Sequence, residues 1–142
     1  MIRRLGALVT AGLVLGACGS QSASSAMRQW SHQSDFAGAV ARLRLDAVHA
    51  VEALRDPASG PNLLHTVCAV TYVDSLSANS SLPTPDAQAT TLLGRAYGQL
   101  GSAATTCSDA GASAPRRARA IAQFERAVAT LAEARARVEA AS

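Results

Sequence analysis

Residues 121–138 read IAQFERAVATLAEARARV. The positions that repeat there at intervals of three and four residues are Ile121, Phe124, Val128, Leu131, Arg135 and Val138. Such intervals place side chains on one face of an α-helix. Arg135 fits this face because its aliphatic stem can cover apolar surface while the guanidinium reaches water. With Ser113 as a cap and Pro115 in the first turn, the stretch predicts an amphipathic helix.

Three earlier segments are predicted to be helices as well. Two carry a similar apolar pattern, at Phe36, Val40, Leu43, Ala47, Val51 and Leu54 and at Ala89, Leu93, Ala96, Leu100, Ala103 and Cys107. The segment 63–78 is apolar on nearly every side. Residues 66–73 also have strand propensity, but no partner strand is evident, and a lone strand would leave its backbone unpaired. Helix is therefore preferred there.

The expected helix starts follow from local capping chemistry. Ser34 or Asp35 is the expected cap of the first helix. The alternative is an earlier start near Ser25, with Met27 and Trp30 packing as an extra turn. Asn62 is the expected cap of the second helix. Thr84 is the expected cap of the third, with proline at its first position.

Composition agrees with a helical protein of one domain. The chain has 142 residues, of which 32 are alanine, 4 % are aromatic and 16 % are charged. Alanine favours helix, whereas a β-sandwich or barrel needs many more β-branched and aromatic residues. The 49 % of hydrophobic residues argues against intrinsic disorder. We therefore expect an all-α fold, an antiparallel up-down four-helix bundle with short connections.

The charge of the chain excludes one large class of function. Its 13 basic and 10 acidic residues give +3, and without Arg3 and Arg4 the balance is 11 − 10 = +1. A nucleic-acid-binding domain needs a concentrated basic face, so no nucleic-acid partner is expected. The densest basic cluster is Arg116, Arg117 and Arg119. We interpret it as a solvated helix start, with an anionic lipid or phosphate contact as the alternative.

The first eighteen residues indicate export. Arg3 and Arg4 precede an uncharged run from Leu5 to Ala17, whose length is typical of a signal peptide and too short to span a bilayer. Leu15-Gly16-Ala17-Cys18 resembles the lipobox of the bacterial lipoproteins. The resemblance implies a diacylglyceryl group on the Cys18 sulfur, cleavage before Cys18, and a lipid-anchored protein on the extracytoplasmic face of the cell membrane. An ordinary secretory signal is the alternative.

These observations divide the chain into three parts. Residues 1–17 are the expected signal peptide. Residues 18–26 are the expected lipidated N-terminus and flexible linker, because they are small and polar. Residues 27–142 are the expected helical domain.

The other two cysteines predict a disulfide. Export places the domain in an oxidising compartment, and with Cys18 lipidated only Cys68 and Cys107 are left to pair. In an up-down bundle these two positions lie at the same end, which agrees with the pairing. A free nucleophilic thiol or a metal ligand is the alternative, and no CxxC spacing or cysteine–histidine motif supports it.

No motif for catalysis or cofactor binding is found. The sequence has no nucleophile elbow, phosphate loop, dinucleotide glycine run or bundle-type metal signature. His49 and His65 could approach each other, but we interpret them as surface residues. Asp74 lies in an otherwise apolar helix, as a face residue or as a partner for Arg95. We therefore expect no enzyme, no catalytic residues, no cofactor and no metal.

The expected function is that of a membrane-anchored exported lipoprotein with a non-catalytic, protein-interaction or structural role in the cell envelope. Its expected partners are the membrane, through the lipid on Cys18, and an envelope protein. Binding of a small apolar ligand or lipid between the helices is the alternative. The first hypothesis predicts an exposed apolar patch, and the second predicts a cavity of several hundred Å3.

Overall fold

Five helices account for most of the residues that the structure describes. The structure is a computed structural model, and it describes residues 22–142. The helices are α1 (Ala23–Gln33), α2 (Phe36–Arg55), α3 (Pro61–Asn79), α4 (Ala87–Ser108) and α5 (Ala114–Ala141). No strand occurs in this part of the chain, so the all-α prediction is confirmed and the helical choice for 66–73 is correct.

The number of helices differs from the predicted four, because α1 is separate from α2. The chain breaks at Asp35, which is in the left-handed region with φ of 47°. Aspartate tolerates this conformation better than most residues do. The break turns α1 so that its Trp30 ring lies 5.5 Å from Phe36, and the Trp30 Nε1–H donates to the Ser81 carbonyl at 2.9 Å. Met27 is fully buried. Met27 and Trp30 therefore belong to a helix of their own.

The flexible linker expected over residues 18–26 is wrong for its last four residues. Residues 23–26 form the first turn of α1. Ser22 caps this helix, because its hydroxyl oxygen accepts the Ser25 N–H at 3.2 Å. Cys18 and the signal peptide 1–17 lie outside the described residues.

Two predicted caps are each wrong by two residues, and the reason is local. Pro61 itself begins α3, so Gly60 and not Asn62 is the cap. For α4 the cap is Asp86, whose carboxylate accepts the Ala89 N–H at 2.7 Å. Thr84 is instead buried, and its N–H donates to the Thr90 hydroxyl at 2.9 Å. The Ser113 cap of α5 is confirmed as a position, without a side-chain hydrogen bond.

The core lies where α2, α3, α4 and α5 meet. Consecutive helices pack against each other, α2 also packs against α5, and the most extensive contact joins α4 and α5. Alanine lets these two backbones approach closely, since Ala96, Ala103, Ala120, Ala127 and Ala134 are completely buried. The larger side chains that fill the centre are Leu43, Leu64, Leu93, Leu100, Phe124 and Leu131.

Ion pairs join the end of α5 to its surroundings. Arg137 forms a forked pair with Asp86 at the start of α4, with Nε 3.0 Å from Oδ1. These hydrogen bonds, together with that of the Ala89 N–H, lower the pKa of Asp86 to about 2. Arg137 thus contacts a residue before another helix rather than Glu133, one turn earlier in α5. Within α5, Arg135 pairs with Glu139 at 2.7 Å.

Candidate functional site: the outward face of α3

The predicted disulfide is present and holds α3 against α4. Cys68 and Cys107 are bonded, their Cα atoms lie 6.0 Å apart, and both side chains are fully buried. The bond joins the second turn of α3 to the last turn of α4. It therefore fixes which side of α3 faces the core.

The inward side of α3 is smaller and more polar than its outward side. Leu64, Cys68, Thr71, Ser75 and Ala78 are buried. The hydroxyls of Thr71 and Ser75 donate to the carbonyls of Val67 and Tyr72, at 3.2 and 2.7 Å. Because the helix's own backbone satisfies them, these side chains can be buried at low cost. The bulkier apolar residues of α3 are left facing water.

These apolar residues form a continuous exposed patch. Five of the seven large hydrophobic side chains exposed in the described part of the chain belong to α3: Leu63, Val70, Tyr72, Val73 and Leu76, each between 43 and 59 % accessible. The only residues of this helix with an acidic or basic side chain are His65 and Asp74. Contiguous exposed apolar surface of this kind is a candidate interaction site. We refer to the outward apolar residues Leu63, Ala69, Val70, Val73 and Leu76, with Thr66 among them, as the α3 stripe.

Sequence reasoning missed the orientation of this helix, although it noted that α3 is apolar nearly all round. The signal was present in the two buried hydroxyl residues, Thr71 and Ser75. They lie on the same side as Cys68, whose disulfide has to point into the core. That side is therefore the inner one.

A second apolar surface lies between α2 and α5. A groove of about 670 Å3 opens to solvent there, and it is lined by Leu45, Val48, Val51, Phe124 and Val128 among others. Leu45 and Val48 are half exposed. Arg44, Arg55 and Glu125 stand at its edge. The groove has the volume of a small-ligand site, but it is shallow and open, unlike the clefts that enclose most of a ligand.

Two carboxyl groups meet at the contact between α2 and α3. Asp74 does not pair with Arg95. It lies beside Asp46. Oδ2 of Asp46 is buried without a hydrogen-bond partner. Burial, the close approach of the Asp74 carboxyl and its charge raise the pKa of Asp46 to about 6, against the opposing charges of His49 and Arg42.

This pair predicts a pH-dependent stability. Because the pKa of Asp46 is higher in the folded chain than in the unfolded chain, its contribution is complete below about pH 4 and declines as the pH rises through 6. The carboxyl is partly open to water, so we expect a loss of only about 1 kcal/mol across this range. Asp46→Asn keeps a permanent donor towards Asp74 and should abolish the decline. Urea unfolding at pH 4, 5, 6 and 7 measures it.

Glu52→Gln is the matched control, since Glu52 is an exposed carboxyl on the same helix. It should keep the wild-type pH profile. Asp86 affects stability in a different pH range. Because its pKa is lowered in the folded chain, its contribution to stability is lost only as the pH falls below about 4. A decline of equal size in Asp46→Asn and wild type would contradict the prediction.

The arginine cluster has a structural member that the sequence did not reveal. Arg116 and Arg119 are exposed, as expected, but Arg117 is 92 % buried, so the expectation of a solvated cluster is wrong for that residue. Its guanidinium donates to the carbonyls of Gly111, Asp56 and Ser59, each at 2.7 Å, and to Leu54 at 3.4 Å. Arg117 thus ties the start of α5 to the end of α2 and to two connecting loops.

The remaining candidate residues do not assemble into a site. His49 and His65 are both exposed. Within residues 22–142, no three histidine, cysteine, aspartate or glutamate side chains are grouped so that they could hold a metal ion. Tyr97 is buried in the core, and burial raises its pKa to about 12, whereas Tyr72 is half exposed beside it.

Of the helices described, none combines the length and the apolarity that crossing a membrane requires. No protein-family model, no curated protein and no solved structure matches the chain.

Proposed function

We propose that this chain is an exported lipoprotein, anchored through Cys18 to the outer face of the cell membrane, and that its helical domain binds another protein through the α3 stripe. The role is one of interaction or envelope structure, without catalysis. The observation that carries the proposal is the exposure of Val70, Val73 and Leu76, at 47, 59 and 54 %.

The contrast with the rest of the surface supports this choice of face. The exposed positions of α5 include Arg116, Arg119, Glu125, Arg126 and Glu133, as is usual for a helix in contact with water. The α3 stripe has no charge. Burying it against a partner removes apolar area from water without the cost of desolvating a charged group.

The position of α1 supports a short tether. If the lipid is on Cys18, only residues 19–22 separate it from the first turn of α1. Four extended residues span about 14 Å at most. The domain would therefore stay close to the membrane surface. The disulfide is consistent with an oxidising compartment outside the cytoplasm.

We also propose that α2 to α5 form the antiparallel four-helix bundle expected from the sequence, with α1 as an added helix at one end. Three contacts support it. Arg137, near the end of α5, pairs with Asp86 at the start of α4. Cys68, early in α3, is bonded to the end of α4. Arg117, at the start of α5, reaches the last carbonyls of α2.

Membrane fractionation combined with photocrosslinking tests the function. We expect the full chain in the membrane fraction of its bacterial host. The variant Cys18→Ser should instead appear in the soluble fraction, or keep its signal peptide uncleaved. A photoreactive amino acid at Val73 should give a protein adduct. The same group at Ala129, which is exposed on α5, should give none. An unlipidated wild-type chain would contradict the anchor, and equal labelling at the two positions would contradict the binding face.

A second candidate function is binding of a small apolar ligand or lipid in the groove between α2 and α5. Its volume of about 670 Å3 and its half-exposed Leu45 and Val48 favour this. An organic extract of the purified chain should then contain a stoichiometric apolar molecule, and Val48→Arg should remove it. An extract without such a molecule would leave the α3 stripe as the binding surface.

A further inference from the structure

The residues of the α3 stripe are arranged symmetrically along the helix. The order Leu63, Thr66, Ala69, Val70, Val73, Leu76 has steps of three, three, one, three and three, and these steps are the same in both directions. The residue types match too: leucine stands at both ends, and the similarly shaped Thr66 and Val73 occupy equivalent positions. Beyond this set, the exposed polar residues Asn62 and Ser77 are also equivalent. The centre of symmetry lies between Ala69 and Val70.

A symmetric stripe is complementary to a second copy of itself. In a two-fold dimer the same patch is used by both subunits, so residue i meets residue j and j meets i. If two α3 helices cross in opposite directions about the Ala69–Val70 centre, Leu63 lies level with Leu76 of the other copy. Thr66 then lies level with Val73. Neither copy brings a charge to the contact, and the Thr66 hydroxyl is already bonded to the Asn62 carbonyl at 2.9 Å.

The charged groups of α3 do not oppose this pairing. Asp74 lies at the side that faces α2, against Asp46, and His65 lies at the opposite side of the helix. Both are thus at the flanks of the stripe, outside its centre. Without its signal the chain has a balance of only +1, so two copies repel each other weakly.

The available area sets the strength of such a contact. A helix of 19 residues is about 28 Å long and about 10 Å wide, so its outward half presents on the order of 450 Å2. Two copies would bury about 900 Å2, somewhat below the roughly 1,200 Å2 of a stable specific interface. A weak dimer is therefore expected, and confinement of both copies to one membrane would favour it by raising their effective concentration.

We propose that the occupant of the α3 stripe is a second copy of this chain, bound as an antiparallel, two-fold symmetric pair centred between Ala69 and Val70. The inference rests on the proposed function only in taking the α3 stripe as the binding surface. In this arrangement the α1 ends lie at opposite ends of the pair. Both lipid anchors reach one bilayer when the α3 helices lie parallel to its surface.

Cysteine crosslinking of the full chain in its native membrane tests the pairing and its direction. A disulfide needs Cα atoms within about 7 Å of each other. Val70→Cys, next to the two-fold axis, should therefore give a covalent dimer after mild oxidation. Leu63→Cys alone and Leu76→Cys alone should not, because each is about 20 Å from its own copy along the helix. Co-expression of these two variants with different tags should give the mixed dimer.

The unsubstituted chain, oxidised in the same way, accounts for any dimer formed through Cys18. Val73→Asp provides a second measurement, since sedimentation in mild detergent should show association at least tenfold weaker than that of wild type. Ala129→Asp adds the same charge on α5 and should leave association unchanged. Val73 and Ala129 are both exposed, so the far-UV circular dichroism spectra of both variants should match that of wild type.

Three outcomes would overturn the inference. A Leu63→Cys self-crosslink would mean parallel pairing, and the absence of a Val70→Cys dimer would mean no pairing. A photocrosslink from Val73 to a different protein, with no self-adduct, would also overturn it while leaving the proposed binding function intact. Failure of Cys18 lipidation would affect the anchor alone, because association in detergent does not depend on the lipid.

Discussion

Loss of the Cys68–Cys107 disulfide is expected to lower the free energy of unfolding by about 4 kcal/mol. The bond closes a loop with a sequence separation of 39, and the loss of loop-closure entropy in the unfolded chain accounts for a value of this size. Small domains have net stabilities of only about 5–15 kcal/mol, so this is a large share. The double variant Cys68→Ala/Cys107→Ala, unfolded in urea and followed by circular dichroism, measures the effect.

Reduction of the wild-type chain separates the bond from the buried sulfur atoms. Wild type in dithiothreitol keeps both thiols and loses only the covalent link, so it should show most of the same loss. The urea dependence should also become steeper, since the unlinked unfolded chain exposes more surface. If the reduced and oxidised chains unfold at the same urea concentration, then helix packing alone holds α3 in place.

The substitution Arg117→Ala should cost about 3 kcal/mol of stability. It removes hydrogen bonds to the carbonyls of Leu54, Asp56, Ser59 and Gly111, and of these the Asp56 carbonyl keeps the Ser59 N–H as a donor at 3.1 Å. Buried polar groups left without a partner each cost about 1–3 kcal/mol. The Leu54 carbonyl also belongs to the negative end of α2, which a guanidinium stabilises. Thermal and urea unfolding give the magnitude.

Arg119→Ala is the matched control, because Arg119 is an exposed arginine two residues away in the same helix. Its effect should stay within about 0.5 kcal/mol of zero. The stability loss of Arg117→Lys should fall between those of Arg117→Ala and Arg119→Ala, since a single ammonium cannot reproduce the planar fork that reaches several carbonyls. Hydrogen exchange should show lost protection near Ser59 and Gly111. Equal stability of the two alanine variants would refute the assigned role.

Some parts of the fold were predictable because their signals are local. The stripe that includes Phe124 and Leu131 separates polar from apolar residues at a helical period, so its helix was identified correctly. Its buried face is turned slightly from the predicted one, because Ala127 and Ala134 lie in the core where Val128 and Arg135 were expected. The start of α2 at Asp35 was predicted as one of two candidate caps, but the separate helix α1 before it was not, because Ser34 and Asp35 serve equally well as a cap and as a helix end. Local chemistry also left the caps of α3 and α4 uncertain by two residues, because Pro61 and Asp86 compete with their neighbours for the same position.

The candidate site was predictable only in outline. An all-round apolar segment has no preferred side, so the sequence could not indicate that Val73 faces water while Thr71 faces the core. The contacts of Arg117 and the Asp46–Asp74 pair join residues on different helices, and no spacing along the chain encodes them. In a helix that is apolar on every side, the periodicity of the sequence does not identify the exposed face, and so it does not identify the residues available for binding.

The sequence by itself determined the helical class and the pairing of Cys68 with Cys107. Helical class depends on residue types and intervals within a few turns, and with Cys18 expected to carry lipid only one disulfide pair remains. The tertiary structure alone decided which side of α3 is exposed and which carbonyls surround Arg117. Those features depend on distances between residues far apart in the chain, which are fixed only when the helices pack against one another.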